Sequence, residues 1–267
     1  MTAKNGELII HKNKKYFPRR AAGFGAWLSA VVFSLKILPR VVCPDNFLCW
    51  GCYFCRYFVN LANKNLHKKM HNKKILILLA VEEELGAENI SAIAARHTLR
   101  LTGVGKLRAY ESTLRALHEA DYDVIINIGT CGSFSHPYAT LLRPSVVAQG
   151  DIYLDSMFAT KPLTLPTGDE GISIVSSDNF IGEDTPAAQR EKIAKFDCMD
   201  MESYAVLRAI GLHASLEGKP APEVYMLKMV SDGADATIGD WSERIEGLRP
   251  LLREELEKLL NVLEDEN

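Results

Sequence analysis

The chain has no apolar stretch as long as a membrane-spanning helix requires. The best candidate, residues 21–35, is fifteen uncharged and mostly apolar residues between Arg20 and Lys36, whereas a spanning helix needs about 20. The basic residues before it are typical of a signal sequence, but no convincing small-residue cleavage site follows. Because Ile37 and Leu38 extend the apolar stretch, a membrane anchor stays open as an alternative.

Cysteine is scarce outside one short segment. Four of the six cysteines fall within thirteen residues: Cys43, Cys49, Cys52 and Cys55. The last three have a spacing that could hold an iron–sulfur cluster. However, the segment has no second cysteine pair and no histidine at zinc-finger distance, so we predict neither a metal nor a cofactor. Cys131 and Cys198 are far apart, which indicates no disulfide framework and favours a cytoplasmic location.

Compact runs of basic residues are also absent, although the charge is unevenly distributed. Residues 1–69 carry a net charge of +10 and residues 70–267 carry −13. The basic residues of the first segment are scattered among apolar ones, which argues against a nucleic-acid partner. Met70 stands immediately before residues 71–73 (HNK) and the first expected strand. We therefore predict that residues 1–69 are an extension outside the fold and that residues 70–267 form one α/β domain.

Unbroken aliphatic runs are present after residue 70, and they alternate with amphipathic segments. A run without polar alternation is typical of a strand buried on both faces of a mostly parallel sheet. The alternation predicts a three-layer α/β/α sandwich with a mixed, mostly parallel central sheet. Strands are expected at residues 74–81, 123–128, 145–149, 172–175 and 224–230, and helices at 89–96, 107–117 and 202–212.

The C-terminal region predicts a helix that packs on the sheet. Asp240 and Glu243 have the spacing of a capping box, and Pro250 is expected to break or restart the helix. An apolar stripe follows at helical spacing: Leu252, Leu256, Leu259 and Leu263. In the helix expected at residues 107–117, one face holds Leu107, Tyr110, Leu114 and Leu117, and we expect it to be buried.

Three polar groups recur where strands end, and the second of them stands at the start of an expected helix. Residues 82–84 are three glutamates, residues 200–202 read Asp-Met-Glu, and residues 231–235 read Ser-Asp-Gly-Ala-Asp. Residues 129–133 form a small-residue loop at the same sheet edge. Parallel sheets bind ligands outside the carboxyl ends of their strands, so this edge is the expected site.

In their order, six such pieces resemble the nucleoside phosphorylase and nucleosidase superfamily, and most closely the 5′-methylthioadenosine/S-adenosylhomocysteine nucleosidases. The resemblance extends from about residue 73 to residue 263. The pieces are residues 80–84 (AVEEE), 103–106 (GVGK), 127–132 (NIGTCG), 177–181 (SDNFI), 200–202 (DME) and 231–235 (SDGAD).

The resemblance implies hydrolysis of the N-glycosidic bond of an adenine nucleoside, a reaction of methionine salvage. By match to the family, Asp232 protonates the departing base and Glu84 holds and activates the water. Glu202 accepts hydrogen bonds from the ribose hydroxyls, and Met201 packs on the sugar. The substrate and water are the implied partners.

The base and the remaining substrate contacts are implied in the same way. Phe180 stacks on the adenine and the backbone of Ile181 reads its edge. Three further residues complete the implied substrate-binding set: Thr130, Ser231 and Lys228.

Water is favoured over phosphate as the nucleophile. The family's phosphorylases have arginines at two positions that here hold Asn127 and the acidic triplet, and carboxylates repel phosphate. The chain also departs from the nucleosidases. Lys228 replaces an arginine and Asp200 replaces a glutamate, and residues 85–101 and the region after Asp151 are shorter, which puts the 5′ pocket in question.

Three alternatives stay open. The first is a phosphate-dependent purine nucleoside phosphorylase, or a hydrolase of another nucleoside such as futalosine. The second is a binding or storage protein on this fold, which would be expected to have lost a catalytic carboxylate. The third is a membrane-anchored metal protein led by residues 1–69, the only setting in which we expect membrane contact. Because Phe134, Tyr138 and Met157 are apolar loop residues that a partner could cover, we also expect a homodimer.

Overall fold

The computed structural model describes residues 73–152, 160–182, 184–233 and 238–265. The predicted extension, residues 1–69, lies outside this part of the chain, together with its apolar stretch and its cysteines. Its boundary with the α/β domain therefore stays a prediction.

Strands and helices alternate along the described residues. The strands are β1 (Ile75–Leu79), β2 (Thr98–Leu101), β3 (Val124–Gly132), β4 (Leu141–Leu142), β5 (Pro144–Gln149), β6 (Leu163–Thr164), β7 (Asp169–Ser176), β8 (Cys198–Asp200) and β9 (Glu223–Asp232). The helices are α1 (Ala87–Ala94), α2 (Lys106–Glu119), α3 (Ala187–Ile193), α4 (Ser203–Glu217) and α5 (Ile238–Asp265), and a short 3₁₀ turn covers Glu82–Glu84.

The strands form one mixed and mostly parallel sheet. Its main path is β2-β1-β3-β8-β7-β5-β6, and β9 pairs with β3 and β4. β3 runs parallel to β1 and β9 along its length, and it meets β8 in antiparallel register at Gly132, opposite Met199. The carboxyl ends of β1, β3 and β9 therefore lie side by side.

Successive residues of the central strands face two different helix layers. Leu76 and Leu78 of β1 are buried in a cluster with residues of α2 and α4. Ile75, Ile77 and Leu79 are buried in a second cluster with the leucines of α5. Because side chains alternate across a strand, both faces of β1 are covered. The predicted three-layer α/β/α sandwich is thus confirmed.

Helix α5 corrects two predictions. It has already begun at Ile238, so Asp240 is not its N-cap, and it continues through Pro250 without a break. An internal proline costs about 3 kcal/mol, whereas each fully buried leucine contributes roughly 1.5–3 kcal/mol. Leu248 and Leu252 are fully buried on either side of the proline, and their packing on the sheet keeps the helix continuous.

Helix α2 is rotated from its predicted orientation. Leu107 is 78% exposed, and the helix instead buries Ala109, Thr113 and Ala116 beside the expected Leu117. Small residues on this face allow α2 to lie close to α4.

As far as the chain is described, its helices lack the combination of length and apolar character that crossing a membrane requires.

Candidate active site

A cavity of about 340 Å³ lies at the carboxyl ends of β1, β3 and β9, within the size range of small-molecule sites. Asp200 lines this cavity, whereas Lys228 is buried behind the wall in contact with Asp200. The other eight predicted site residues all line the cavity: Glu84, Thr130, Phe180, Ile181, Met201, Glu202, Ser231 and Asp232.

Glu84 is the one glutamate of the acidic triplet that is buried, with 3% of its surface exposed. Its Oε1 accepts hydrogen bonds from the N–H of Thr130, at 2.7 Å, and from the Thr130 hydroxyl, at 3.0 Å. Its Oε2 is buried without a hydrogen-bond partner among the described residues. Burial raises the pKa of Glu84, while the Thr130 donors and the Lys228 ammonium oppose the rise. A raised pKa makes the Glu84 carboxylate a stronger base than an exposed glutamate.

Glycines of β3 let two carboxylates approach the strand. A Cβ at Gly129 would lie 2.7 Å from Glu84 Oε1, and one at Gly132 would lie 3.0 Å from Asp232 Oδ1. The sequence predicted that the strand ends at Ile128 and that a loop follows. That prediction was wrong, because β3 continues through Gly132. The small residues make room for side chains of neighbouring strands rather than forming a loop.

Asp200 of the cavity wall and Lys228 behind it form a buried ion pair. The Lys228 Nζ lies 2.9 Å from Asp200 Oδ2, and Asp200 also accepts hydrogen bonds from the Ser176 hydroxyl, at 2.6 Å, and the Ser203 N–H. Burial raises the pKa of Asp200, but Lys228 and these donors outweigh it and lower the pKa. Burial likewise lowers the pKa of Lys228, but the surrounding carboxylates, above all Asp200, raise it overall.

Glu202 stands immediately before α4 and joins two walls of the cavity. Its Oε1 accepts the N–H of Gly105 at 2.9 Å, and its Oε2 accepts the N–H of Met201 at 3.3 Å. Burial and the nearby charge of Asp200 raise the pKa of Glu202 to about 7. The side chain can therefore be neutral or ionised near physiological pH.

Asp232 ends β9 and is 6% exposed. Its Oδ2 accepts a hydrogen bond from the Ser231 hydroxyl at 2.8 Å, and the same hydroxyl lies 3.2 Å from the carbonyl of Cys131. A serine hydroxyl has one proton to donate. The hydroxyl can therefore donate to Asp232 Oδ2 or to the Cys131 carbonyl oxygen, but not to both at once.

Two loops that line the cavity are held together by charge. Phe180 is half-buried and Ile181 is buried against the core. The loop before them is fixed by Asp178, whose Oδ1 accepts the N–H of Lys106 at 2.6 Å and whose Oδ2 lies 2.9 Å from the Lys106 Nζ. Lys106 also pairs with Asp151.

The motifs gave no indication of Trp241, which also lines the cavity. Its indole Nε1 donates a hydrogen bond to the Thr130 hydroxyl oxygen at 3.1 Å. A signal was present in the sequence, because Trp241, Ile245, Leu248 and Leu252 are spaced by four, three and four and extend the leucine stripe of α5. No group of three or more metal-ligating side chains in the described part of the chain is arranged to hold a metal ion.

The sheet and its helix layers are similar to those of solved nucleosidase structures. 5′-Methylthioadenosine nucleosidase of Arabidopsis thaliana, in apo form, is 18% identical with a TM-score of 0.58, covering 72% of this chain and 96% of that one. The Helicobacter pylori 5′-methylthioadenosine/S-adenosylhomocysteine nucleosidase, complexed with a substituted pyrrolidin-3-ol, is 15% identical with a TM-score of 0.57, covering 72% of this chain and 99% of that one.

A third similar structure is the S-adenosylhomocysteine nucleosidase of Streptococcus pyogenes with 5-methylthiotubericidin, at 20% identity and a TM-score of 0.54, covering 73% of this chain and 98% of that one. Neither a protein-family model nor a curated protein sequence matches the chain. The described domain therefore has the fold of the solved 5′-methylthioadenosine and S-adenosylhomocysteine nucleosidases, as the ordered motifs predicted.

Proposed function

We propose that this protein hydrolyses the N-glycosidic bond of adenine nucleosides of the 5′-methylthioadenosine/S-adenosylhomocysteine type, releasing the free base and the free sugar. The observation that carries the proposal is the convergence of Glu84, Glu202 and Asp232 on one cavity. The fold shared with structures that hold adenosine analogues supports it.

The geometry suits an acid–base mechanism. Water held by the Glu84 carboxylate attacks the anomeric carbon as the bond to the base nitrogen breaks, and Glu84 takes the water proton. The electron pair of that bond goes to the base, and Asp232 supplies a proton to the base. Ser231 then turns its hydroxyl to the ionised Asp232. The carboxylates on the wall stabilise the positive charge that develops on the sugar.

Water is a better nucleophile than phosphate in this cavity. Among the described residues that line it there is no lysine or arginine, and the nearby ammonium of Lys228 is paired with Asp200. A phosphate anion would therefore meet Glu84 and Glu202 without a free cation to bind it. A neutral water meets no such repulsion.

The test is to incubate the protein with adenosine, 5′-methylthioadenosine, S-adenosylhomocysteine, inosine and futalosine and to separate the products. We expect free adenine from the 5′-substituted adenosines, lost in Glu84→Gln and retained in Glu82→Gln, an exposed neighbour in the same turn. Binding of these compounds without any turnover would instead support a storage protein. Base release confined to futalosine would support a different nucleoside hydrolase.

The proposal includes a homodimer in the cytoplasm. Phe134 is 36% exposed and Tyr138 is 48% exposed in the segment after β3, which supports a covered surface there; Met157 lies outside the described residues. Cys131 and Cys198 are free thiols, in keeping with a reducing compartment. Light scattering should give twice the chain mass, and a monomer mass at working concentration would contradict the dimer.

A further inference from the structure

Trp241 reaches Glu84 through one intermediate side chain. The indole Nε1 lies 3.1 Å from the Thr130 hydroxyl oxygen, and this oxygen lies 3.0 Å from Glu84 Oε1. Trp241 belongs to α5, Thr130 to β3 and Glu84 to the turn after β1. Three elements that are distant in sequence thus meet in one line of hydrogen bonds.

The donor and acceptor capacities of these groups fix the direction of the line. An indole nitrogen can only donate, an ionised carboxylate can only accept, and a threonine hydroxyl donates one proton and accepts others. Because the indole N–H occupies a lone pair of the Thr130 hydroxyl, the hydroxyl proton is directed toward Glu84. Oε1 then receives two donors from Thr130, and Oε2 receives none among the described residues.

We propose that Trp241 is a positioning residue, which orients the Thr130 hydroxyl toward Glu84 Oε1 and thereby fixes the carboxylate that activates the water. The assignment of water activation to Glu84 rests on the proposed function. Without the indole donor, the Thr130 hydroxyl can turn away, and Glu84 loses one of the two hydrogen bonds that hold its Oε1. Trp241 itself does not touch the reacting proton.

Other charged groups near Glu84 do not orient the hydrogen bonds that it accepts. Lys228 of β9 and Glu202, before α4, both act on Glu84 through charge, but neither forms a hydrogen bond with it among those described. Asp200 is held by Lys228, and Asp232 is bonded to Ser231. The two oxygens of Glu84 are therefore distinguished by Thr130 and, through it, by Trp241.

A measurement that needs no substrate tests the line directly. The full chain has three tryptophans, Trp27, Trp50 and Trp241, so its ¹⁵N indole spectrum is simple. The signal that disappears in the Trp241→Phe variant is that of Trp241. We expect the Trp241 N–H resonance to shift with pH as Glu84 titrates. The shift should vanish in Glu84→Gln and in Thr130→Val, and it should persist in Thr130→Ser, which keeps the hydroxyl.

Kinetics test the consequence. Trp241→Phe keeps an aromatic ring and removes only the N–H, so we expect kcat to fall roughly 2- to 10-fold, the factor that one neutral hydrogen bond typically supports, with KM unchanged. The same replacement in a Thr130→Val background should have no further effect, whereas in a Thr130→Ser background it should cost the same factor as in the wild type.

Two results would overturn the proposal. One is a Trp241 resonance that ignores pH or that still titrates in Thr130→Val. The other is an equal further loss of kcat in the Thr130→Val background, which would assign Trp241 to packing alone. If the resonance behaves as expected but no adenine is released from any nucleoside, the hydrogen-bond line stands and the proposed hydrolysis fails.

Discussion

Lys228 and Asp200 form an ion pair at 2.9 Å whose side chains are only 3% and 2% exposed. Both positions depart from the nucleosidases that the motifs resemble, where arginine and glutamate are found. The two departures contact each other in this chain, where a compact ammonium meets a short carboxylate. The remaining acceptor capacity of Asp200 is used by Ser176 and Ser203, which are the additional bonds that a buried pair requires.

Replacing Lys228 with Met should lower the free energy of unfolding by about 3–5 kcal/mol, because it leaves Asp200 buried without its cation. Urea denaturation followed by circular dichroism measures the loss. Lys258→Met, which breaks an exposed pair on α5, is the control and should leave the midpoint nearly unchanged. In the double variant Lys228→Met/Asp200→Leu part of the stability should return. A further, additive loss would show that the two side chains do not depend on each other.

Glu202 should make stability depend on pH. Its pKa rises from an ordinary value of 4.5 to about 7 in the folded chain, so the folded state binds this proton more tightly than the unfolded state. The resulting stabilisation is fully present below pH 4.5 and is lost as pH rises through about 7. The unfolding temperature of Glu202→Gln should therefore rise relative to that of the wild type as pH increases across this interval. Glu217→Gln, an exposed change on α4, should not alter the wild-type profile, and a matching profile for Glu202→Gln would refute the shift.

Replacing Gly129 with Ala should displace Glu84, because the added Cβ would lie 2.7 Å from Oε1. Turnover should fall by roughly 10²-fold or more, the usual range for loss of a general base, while the circular dichroism spectrum is retained. Gly211→Ala is the matched control: its Cβ meets nothing within 4 Å on α4, and it should add about 0.5–1 kcal/mol of stability. Full turnover in Gly129→Ala would argue against Glu84 as the base.

Replacing Asp232 with Asn keeps the shape of the side chain but removes the transferable proton. General acid catalysis typically contributes roughly 10²- to 10⁴-fold, so turnover should fall by that range. Binding of an adenine analogue, measured by calorimetry, should survive. Asp169→Asn, an exposed change on β7, is the control. If Asp232→Asn turns over at the wild-type rate, another group protonates the base.

Local pattern was sufficient for the parts of the fold that are buried on both faces. The aliphatic runs that became β1 and β3 are covered by helices on either side, so their composition alone indicates strands. The acidic triplet follows β1, and Asp200 and Asp232 are the last residues of β8 and β9. A mostly parallel sheet brings such strand ends to one edge. The cavity could therefore be predicted before any packing was known.

Contacts between distant residues could not be predicted in this way. The bond between Trp241 and Thr130 joins residues 111 positions apart, and the orientation of α2, which exposes Leu107, depends on how closely α4 approaches. Pro250 stays within α5 because leucines on both sides are buried. In each case tertiary packing outweighs the local preference, and only the assembled sheet shows which contact prevails.

The identity of the sugar product in the presence of excess inorganic phosphate distinguishes hydrolysis from phosphorolysis. Products from 5′-methylthioadenosine can be followed by ¹H and ³¹P magnetic resonance, with the rate measured with and without phosphate. If the enzyme is a hydrolase, the products are free adenine and a free reducing sugar, formed at a rate that phosphate does not change. Formation of a sugar 1-phosphate, or a rate that rises with phosphate, would contradict hydrolysis and assign the site to a phosphorylase.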